Sequence, residues 1–155
     1  VEKQHIRVIA RNKKARYNYH IDDEYEAGIV LRGTEVKSIR NGSANLKDSY
    51  ARVKNGEMFV YQMHIGTYKY ANIDNHEPLQ PRKLLLHKKE INKIHGKMQG
   101  KGYALVPLSL YFKEGKVKIS LGLARGKRLY DKRQTIKNRE AKRDLDRERK
   151  KYNIK

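Results

Sequence analysis

The sequence predicts a small, mainly β protein: a closed antiparallel barrel of about six strands with two or three short helices, then a basic C-terminal tail. Three observations carry this expectation. Two pairs of alternating segments are each joined by a short turn containing glycine, the pattern of β-hairpins. One segment near residues 87–98 has the apolar spacing of an amphipathic helix. From Arg125 onward, 14 Lys or Arg face 5 Asp or Glu, a net +9 in 31 residues. The whole chain of 155 residues carries a formal net charge of +20. Self-repulsion on that scale opposes compaction, so a polyanionic partner is the natural compensation, and nucleic acid is the first candidate.

Composition narrows the field further. The length suits one domain with an appendage, and 37% hydrophobic residues is lean, so part of the chain is expected to lie outside the core. The absence of cysteine excludes a disulfide framework and thiolate chemistry, in keeping with a reducing cytosol. No run approaches the ~18 apolar residues of a membrane span. No apolar signal core is expected after Val1. An anionic membrane surface ranks second to nucleic acid, because no helix with a broad apolar face is apparent.

Taken in order, Ile6–Ala10 alternates loosely and reads as a strand. Asn12 can cap a short helix through Lys13–Tyr17, within a cluster that includes Arg11, Lys13, Lys14 and Arg16. Tyr25–Leu31 reads as a strand in which Glu26 interrupts an apolar run and Gly28 gives up packing. Arg32–Arg40 reads as a short helix with Val36 and Ile39 inward and Lys37 and Arg40 elsewhere; Asn41-Gly42 stops it. Tyr50–Lys54 and Glu57–Tyr61 flank Asn55-Gly56, the signal of a two-residue type I′ turn. Tyr68–Pro81 has no period and reads as a loop.

Leu84–Leu86 enters the next helix or forms a short strand before it. All three leucines cannot face one core, which leaves Leu85 for a partner. The helix near His87–Met98 buries Ile91, Ile94 and Met98, and Gly96, Gly100 and Gly102 are expected to break it. Leu108–Phe112 and Lys116–Leu123 form the second hairpin around Lys113-Glu114-Gly115. Val117, Ile119, Leu121 and Leu123 face the core there, and Lys116, Lys118, Ser120 and Gly122 form a polar, basic face. Pro107 implies an edge or a bulge. In the tail Ala141, Leu145 and Tyr152 share a helical face that Leu129 and Ile136 miss. The tail is therefore expected to be disordered alone and helical against an anionic partner.

Catalytic signatures are sparse. Gly122–Arg128 has three residues between its glycines and Arg128 where a phosphate loop needs Ser or Thr. The six histidines make no close metal-type pair, and without Cys a zinc site would need assembly entirely by the fold. Asp22-Asp23-Glu24 suggests magnesium and a small nuclease only weakly; a solvated turn is the simpler reading. Eleven tyrosines suit base stacking better than two phenylalanines and no tryptophan would. Tyr130, in the basic segment, is the best stacking candidate.

Several of these stretches resemble one family. Glu26-Ala27-Gly28-Ile29, Gly33-Thr34-Glu35-Val36-Lys37-Ser38 and Asn45-Leu46-Lys47-Asp48-Ser49-Tyr50 are similar to the signature of the small protein B family. Its members are the tmRNA-binding proteins of bacterial trans-translation. The likeness continues through Arg82–Leu86, Val106-Pro107-Leu108, Gly122–Lys127 and Tyr130–Arg133, in the family's order, from about Asn12 to the C-terminus.

The resemblance implies an OB-like barrel over 1–124 that binds the tRNA-like domain of tmRNA. It also implies a tail over 125–155 that enters the decoding centre and vacant mRNA path of a stalled ribosome. A cytoplasmic, monomeric, non-enzymatic protein without cofactor or metal is expected. By the same likeness Asn12, Glu26 and Leu85 match positions tied to tmRNA binding. Lys13, Lys14, Arg16, Lys37, Arg40 and Lys83 are the cations expected to support them. Tyr130, Asp131, Lys132 and Arg133, with Lys127 and Arg128 beside them, match the decoding-centre segment. Tyr130 stands where some relatives carry histidine; stacking survives that exchange, but a role for an imidazole proton does not. The competing classes are a general basic RNA-binding protein and a metal-dependent nuclease using Asp22–Glu24.

Overall fold

The computed structural model describes residues 5–70, 75–99, 102–126 and 136–147. They form a mixed α/β fold with an antiparallel sheet core and several helices. The elements are β1 (Ile6–Arg11), α1 (Ala15–Asn18), β2 (Tyr19–Ile29), α2 (Gly33–Arg40), β3 (Ala44–Asn45), β4 (Tyr50–Lys54), β5 (Glu57–Tyr61) and β6 (His64–Ile65). After them come β7 (Arg82–Leu85), α3 (Lys88–Met98), β8 (Tyr103–Lys113) and β9 (Lys116–Gly126). Seven strands make one sheet in the order β1-β8-β4-β5-β7-β2-β9, and β8 also pairs with β9. β3 and β6 make a separate two-stranded ladder. The described residues thus hold nine strands where the sequence suggested about six.

Both hairpins close through two residues in the left-handed region. These are Asn55 (φ 53) with Gly56 (φ 76), and Glu114 (φ 51) with Gly115 (φ 78). The second turn is one residue shorter than expected, because Lys113 stays in its strand opposite Lys116. Pro107 sits at a bulge, where the register of β8 against β9 shifts between Pro107 and Ser109. The core joins Ile39 and Leu46 to Met58, Val60, Leu84 and the inward residues Ile119, Leu121 and Leu123. The opposite face of β9 is not wholly polar. Ala124 packs there with Ala15, Val106 and Leu108, so α1 lies on a second, smaller cluster. Val36, expected inward, is only half-buried, and Ser38 takes the buried place beside Ile39.

Inside the sheet lies an ion pair that spacing does not suggest. Arg82, on the inward side of β7, and Glu35, on α2, are both almost fully buried and bonded through Arg82 Nε and Glu35 Oε2. Arg82 also donates to the carbonyls of Met63 (2.6 Å), Pro78 (3.1 Å) and Glu77 (3.3 Å). Glu35 Oε1 accepts from the backbone N–H of Arg32 at 2.8 Å and so also satisfies the start of α2. One guanidinium thereby ties α2, the chain after β5 and the approach to β7 into one unit. Beside it His76, 2% exposed, meets Thr34 Oγ1 and the Ile65 carbonyl, both at 2.9 Å.

Three expectations need correction. Asp22, Asp23 and Glu24 are not a solvated turn; they continue β2, which begins at Tyr19, and each holds a different cation, Arg125, Lys97 and Arg16. Gly96 does not break α3, which runs through it to Met98, because Ile91 and Ile94 anchor the helix on the core. Asn12 does not cap α1. That helix begins at Ala15 behind Lys14, with no side-chain cap bond. In the tail, residues 136–147 form a helix whose residues are all exposed. Its sequence, without Gly or Pro, favours a helix locally.

Candidate nucleic-acid interface

Cross-strand registry builds one outward row across five strands. Leu85 on β7 pairs with Gly28 on β2, Gly28 with Lys118 on β9, Lys118 with Tyr111 on β8, and Tyr111 with Val8 on β1. Leu85 is 53% exposed, although Leu84 beside it is 1% exposed. The alternation that buries Leu84 therefore forces Leu85 outward, which is where the leucine count left it. Gly28 makes the row flat. A Cβ there would crowd Leu85 Cβ at 3.3 Å and reach ordinary contact with Lys118 Nζ at 3.7 Å, so a side chain would press Leu85 aside.

Glu26 lies two residues along β2, opposite Ser120. Its carboxylate accepts from the Tyr111 hydroxyl at 2.5 Å and from Lys113 Nζ at 3.2 and 3.4 Å. The Tyr111 hydrogen bond first, then that of Lys113, holds the Glu26 carboxyl below its usual range, against partial desolvation. Burial, followed by the Glu26 hydrogen bond, pushes the Tyr111 phenol up. The acid thus holds the largely buried Tyr111 and the more open Lys113 at one point of the face. It leaves the carboxylate ionised and available to one more donor.

Asn12 hangs the basic N-terminal segment on the β8 bulge. Its side-chain amide donates to the Pro107 carbonyl at 3.0 Å, and its backbone N–H to the Leu108 carbonyl at 2.8 Å. These bonds put Arg11, Asn12 and Lys13 on the rim between two clefts. One, of about 540 Å³, also includes Lys14, Lys47 and Tyr50; the other, of about 340 Å³, includes Val8, Arg16 and Ser120. Tyr50 stacks on Tyr61 with centroids 5.4 Å apart and planes at 20°, so the aromatic wall of the larger cleft is fixed.

Structure divides the remaining cations. Lys83 lies beside Leu85 on β7 and pairs with Glu57 at 3.2 Å. Val8 faces the cleft, so its neighbour Arg7 points to the other side of β1, where it donates to the Arg40 carbonyl at 3.3 Å. Lys37 belongs with Arg40, its Nζ 5.4 Å from the centre of the Tyr68 ring. Asn12, Lys13, Lys14, Arg16, Glu26, Lys83 and Leu85 therefore belong to one sheet face and its rim. Lys37 and Arg40 do not join it. Lys127, Arg128, Tyr130, Asp131, Lys132 and Arg133 lie outside the described residues. Sequence reasoning missed Tyr111 and Lys113 as members of the face, although it put Lys118 on the polar, basic side of its strand. The two-residue alternation of Ser109, Tyr111 and Lys113 would have found both.

The chemistry available is recognition. Among the described residues no three His, Cys, Asp or Glu side chains are grouped to hold a metal ion. No helix among them is long and apolar enough to cross a membrane.

A family model described as SmpB protein matches residues 9–151 of this chain. The SsrA-binding protein of Acetivibrio thermocellus is 61% identical over 145 residues, covering 94% of each chain. That of Shouchella clausii is 57% identical over 141 residues, covering 91% of this chain and 90% of its own. A solved chain from "tmRNA-SmpB: a journey to the center of the bacterial ribosome" is 45% identical with a TM-score of 0.65. It covers 81% of this chain and 92% of its own.

Proposed function

The chain belongs to the SmpB protein family, and from that membership we infer that it is a non-enzymatic tmRNA-binding protein of trans-translation, acting in ribosome rescue and peptide tagging. The observation that carries this is the 61% identity to an SsrA-binding protein over nearly the full length of both chains. The finer reading joins the geometry to that premise. The face holding Glu26, Leu85, Lys83 and Lys118, with the Asn12 rim, receives the tRNA-like domain of tmRNA. Cations supply salt-sensitive affinity, and Glu26, Leu85 and the Tyr50 wall supply shape and base contacts. The pairing of β8 with both β4 and β9 supports reading the sheet as an OB-like barrel, since it joins β8-β4-β5-β7-β2-β9 in a ring and leaves β1 beside β8 outside it.

The C-terminal segment is the ribosome-facing part, with Tyr130–Arg133 at the decoding centre and the helix over 136–147 along the mRNA path of a stalled ribosome. The exposure of residues 136–147 and the positive charge of the segment suit rRNA phosphates. We set the boundary after Gly126 rather than at Ala124, because β9 runs to Gly126. The protein acts in the cytoplasm as a single copy.

The test pairs a tmRNA gel shift with a peptide-tagging assay on a chain ending at Gly126. Expected are near-normal tmRNA binding and loss of tagging. Normal tagging would overturn the role of the tail. Equal affinity for duplex DNA and for tmRNA would replace the reading with a general basic coat protein.

A further inference from the structure

Asp22 occupies a β-bulge. β2 and β9 pair from Tyr19–Gly126 to Ile21–Ala124 and resume at Asp23–Leu123, so Asp22 is the extra residue. A bulge disrupts the ladder, adds twist and re-aims its side chain. Here the carboxylate meets the first residue of β8 and the second-last residue of β9. The Tyr103 hydroxyl donates to Asp22 Oδ2 at 2.9 Å. Arg125 donates through Nε to the same oxygen at 3.1 Å and through Nη2 to Oδ1 at 3.3 Å. The Arg125 guanidinium carbon lies 5.9 Å from the centre of the Tyr103 ring, and the two residues are direct cross-strand partners. One carboxylate therefore ties β2, β8 and β9 together where β9 ends and the basic segment begins. A two-pronged arginine contact fixes the guanidinium plane as well as its distance.

Neither stability nor RNA affinity accounts for this acid. An ion pair this exposed contributes little to folding, the bulge disrupts pairing, and a negative charge in a +20 chain opposes attraction to RNA. The Tyr103 hydrogen bond, followed by that of Arg125, holds the Asp22 carboxyl below its usual range, so the cluster is intact at neutral pH. What the cluster can do is fix a direction. We propose that Asp22 is a positioning residue for the C-terminal tail, holding Arg125 against Tyr103 so that the chain leaves β9 along one path toward its ribosomal site. The inference rests on the tail reading above and adds to it the residue that aims the tail.

The test uses Asp22→Asn in the full chain, which keeps the size and removes the charge. The absence of native cysteine allows spin labels at Lys54→Cys and Lys142→Cys, one on the sheet and one on the tail. Expected are an unchanged melting temperature within about 2 °C, tmRNA affinity equal or up to about twofold tighter, a broadened label distance and tagging reduced about tenfold. The charge swap Asp22→Arg with Arg125→Asp should narrow the distance again and restore most tagging, which a loss of generic surface charge would not do. An unchanged distance distribution in Asp22→Asn overturns the proposal. Normal tagging by that variant overturns it too, as does a defect that the swap leaves in place. Full tagging by the chain ending at Gly126 identifies a different failure, that of the tail reading itself.

Discussion

Replacing Arg82 with methionine tests how the interior supports the RNA face. Methionine fills a similar length without charge. Glu35 would keep one oxygen on the Arg32 N–H and lose its charged partner inside the core. Removing one member of a buried pair costs about 3–5 kcal/mol, because the other charge is left uncompensated. The carbonyls of Met63, Glu77 and Pro78 lose their donor in addition, so the upper half of that range applies. At roughly 3 °C per kcal/mol for a chain of this size, the melting temperature should fall by about 10–15 °C. Circular dichroism melts and urea midpoints measure it. Adding Glu35→Gln should recover at least about 1 kcal/mol, since the amide can still accept from Arg32 while the stranded charge is gone. A single-variant loss below about 1 kcal/mol, or a double variant worse than the sum of its parts, would refute the reasoning.

Glu26→Ala should weaken tmRNA binding about fivefold, or roughly 1 kcal/mol, although it raises the net charge; equal or tighter gel shifts would make Glu26 purely structural. The Glu26 hydrogen bonds also set a pH dependence. A carboxyl whose folded value lies below its unfolded value of about 4.3 adds stability above that value and loses it as pH falls through the folded one. Tyr111→Phe should therefore lower the urea midpoint at pH 6, and its curve should approach that of the parent chain as pH falls through the lowered folded value of the Glu26 carboxyl. Gly28→Val should displace Leu85 and reduce tmRNA affinity severalfold at nearly unchanged fold content. A gel shift alongside circular dichroism checks it, and normal binding would mean that the flat row is not a contact surface.

Local signals carried furthest where one residue type has one backbone use. Asn55-Gly56 named its turn because both residues tolerate positive φ. Ile91 and Ile94 named a helix face, and the run Leu84–Leu86 implied that one leucine stays outside the core before any pairing was known. What was hidden is non-local. Arg82 and Lys83 look alike in the chain, yet one is buried against Glu35, 47 residues earlier, and the other is exposed. Asp22–Glu24 reads as a polar turn because alternation assumes an unbroken ladder. It is a strand because it pairs with β9 around the bulge at Asp22, and its three acids hold cations from α1, α3 and β9. Asn12 looks like a cap because its true acceptor, the Pro107 carbonyl, is 95 residues away. On the proposed RNA face, Asn12, Glu26 and Leu85 came from family likeness and Lys118 from strand alternation, whereas Tyr111 came only from registry across strands.

The three partners of β8 have a consequence for how the chain matures. β1, β4 and β9 all bond to a strand that begins at Tyr103. Before that point a growing chain can form the β4–β5 hairpin, but β1 has no ladder to join and β2 lacks nearly all of its partners. Long-range closure of this kind is slow and cooperative. Val8, Gly28, Leu85, Tyr111 and Lys118 come from both ends of the sequence, so the row they form exists only once the last strand has docked. An unfinished or clipped chain would carry much of the positive charge without the surface that gives it selectivity. Competence to recognise RNA is thereby acquired in a single late step, and a fragment ending at Gly102 should remain unfolded and bind nucleic acids without discrimination.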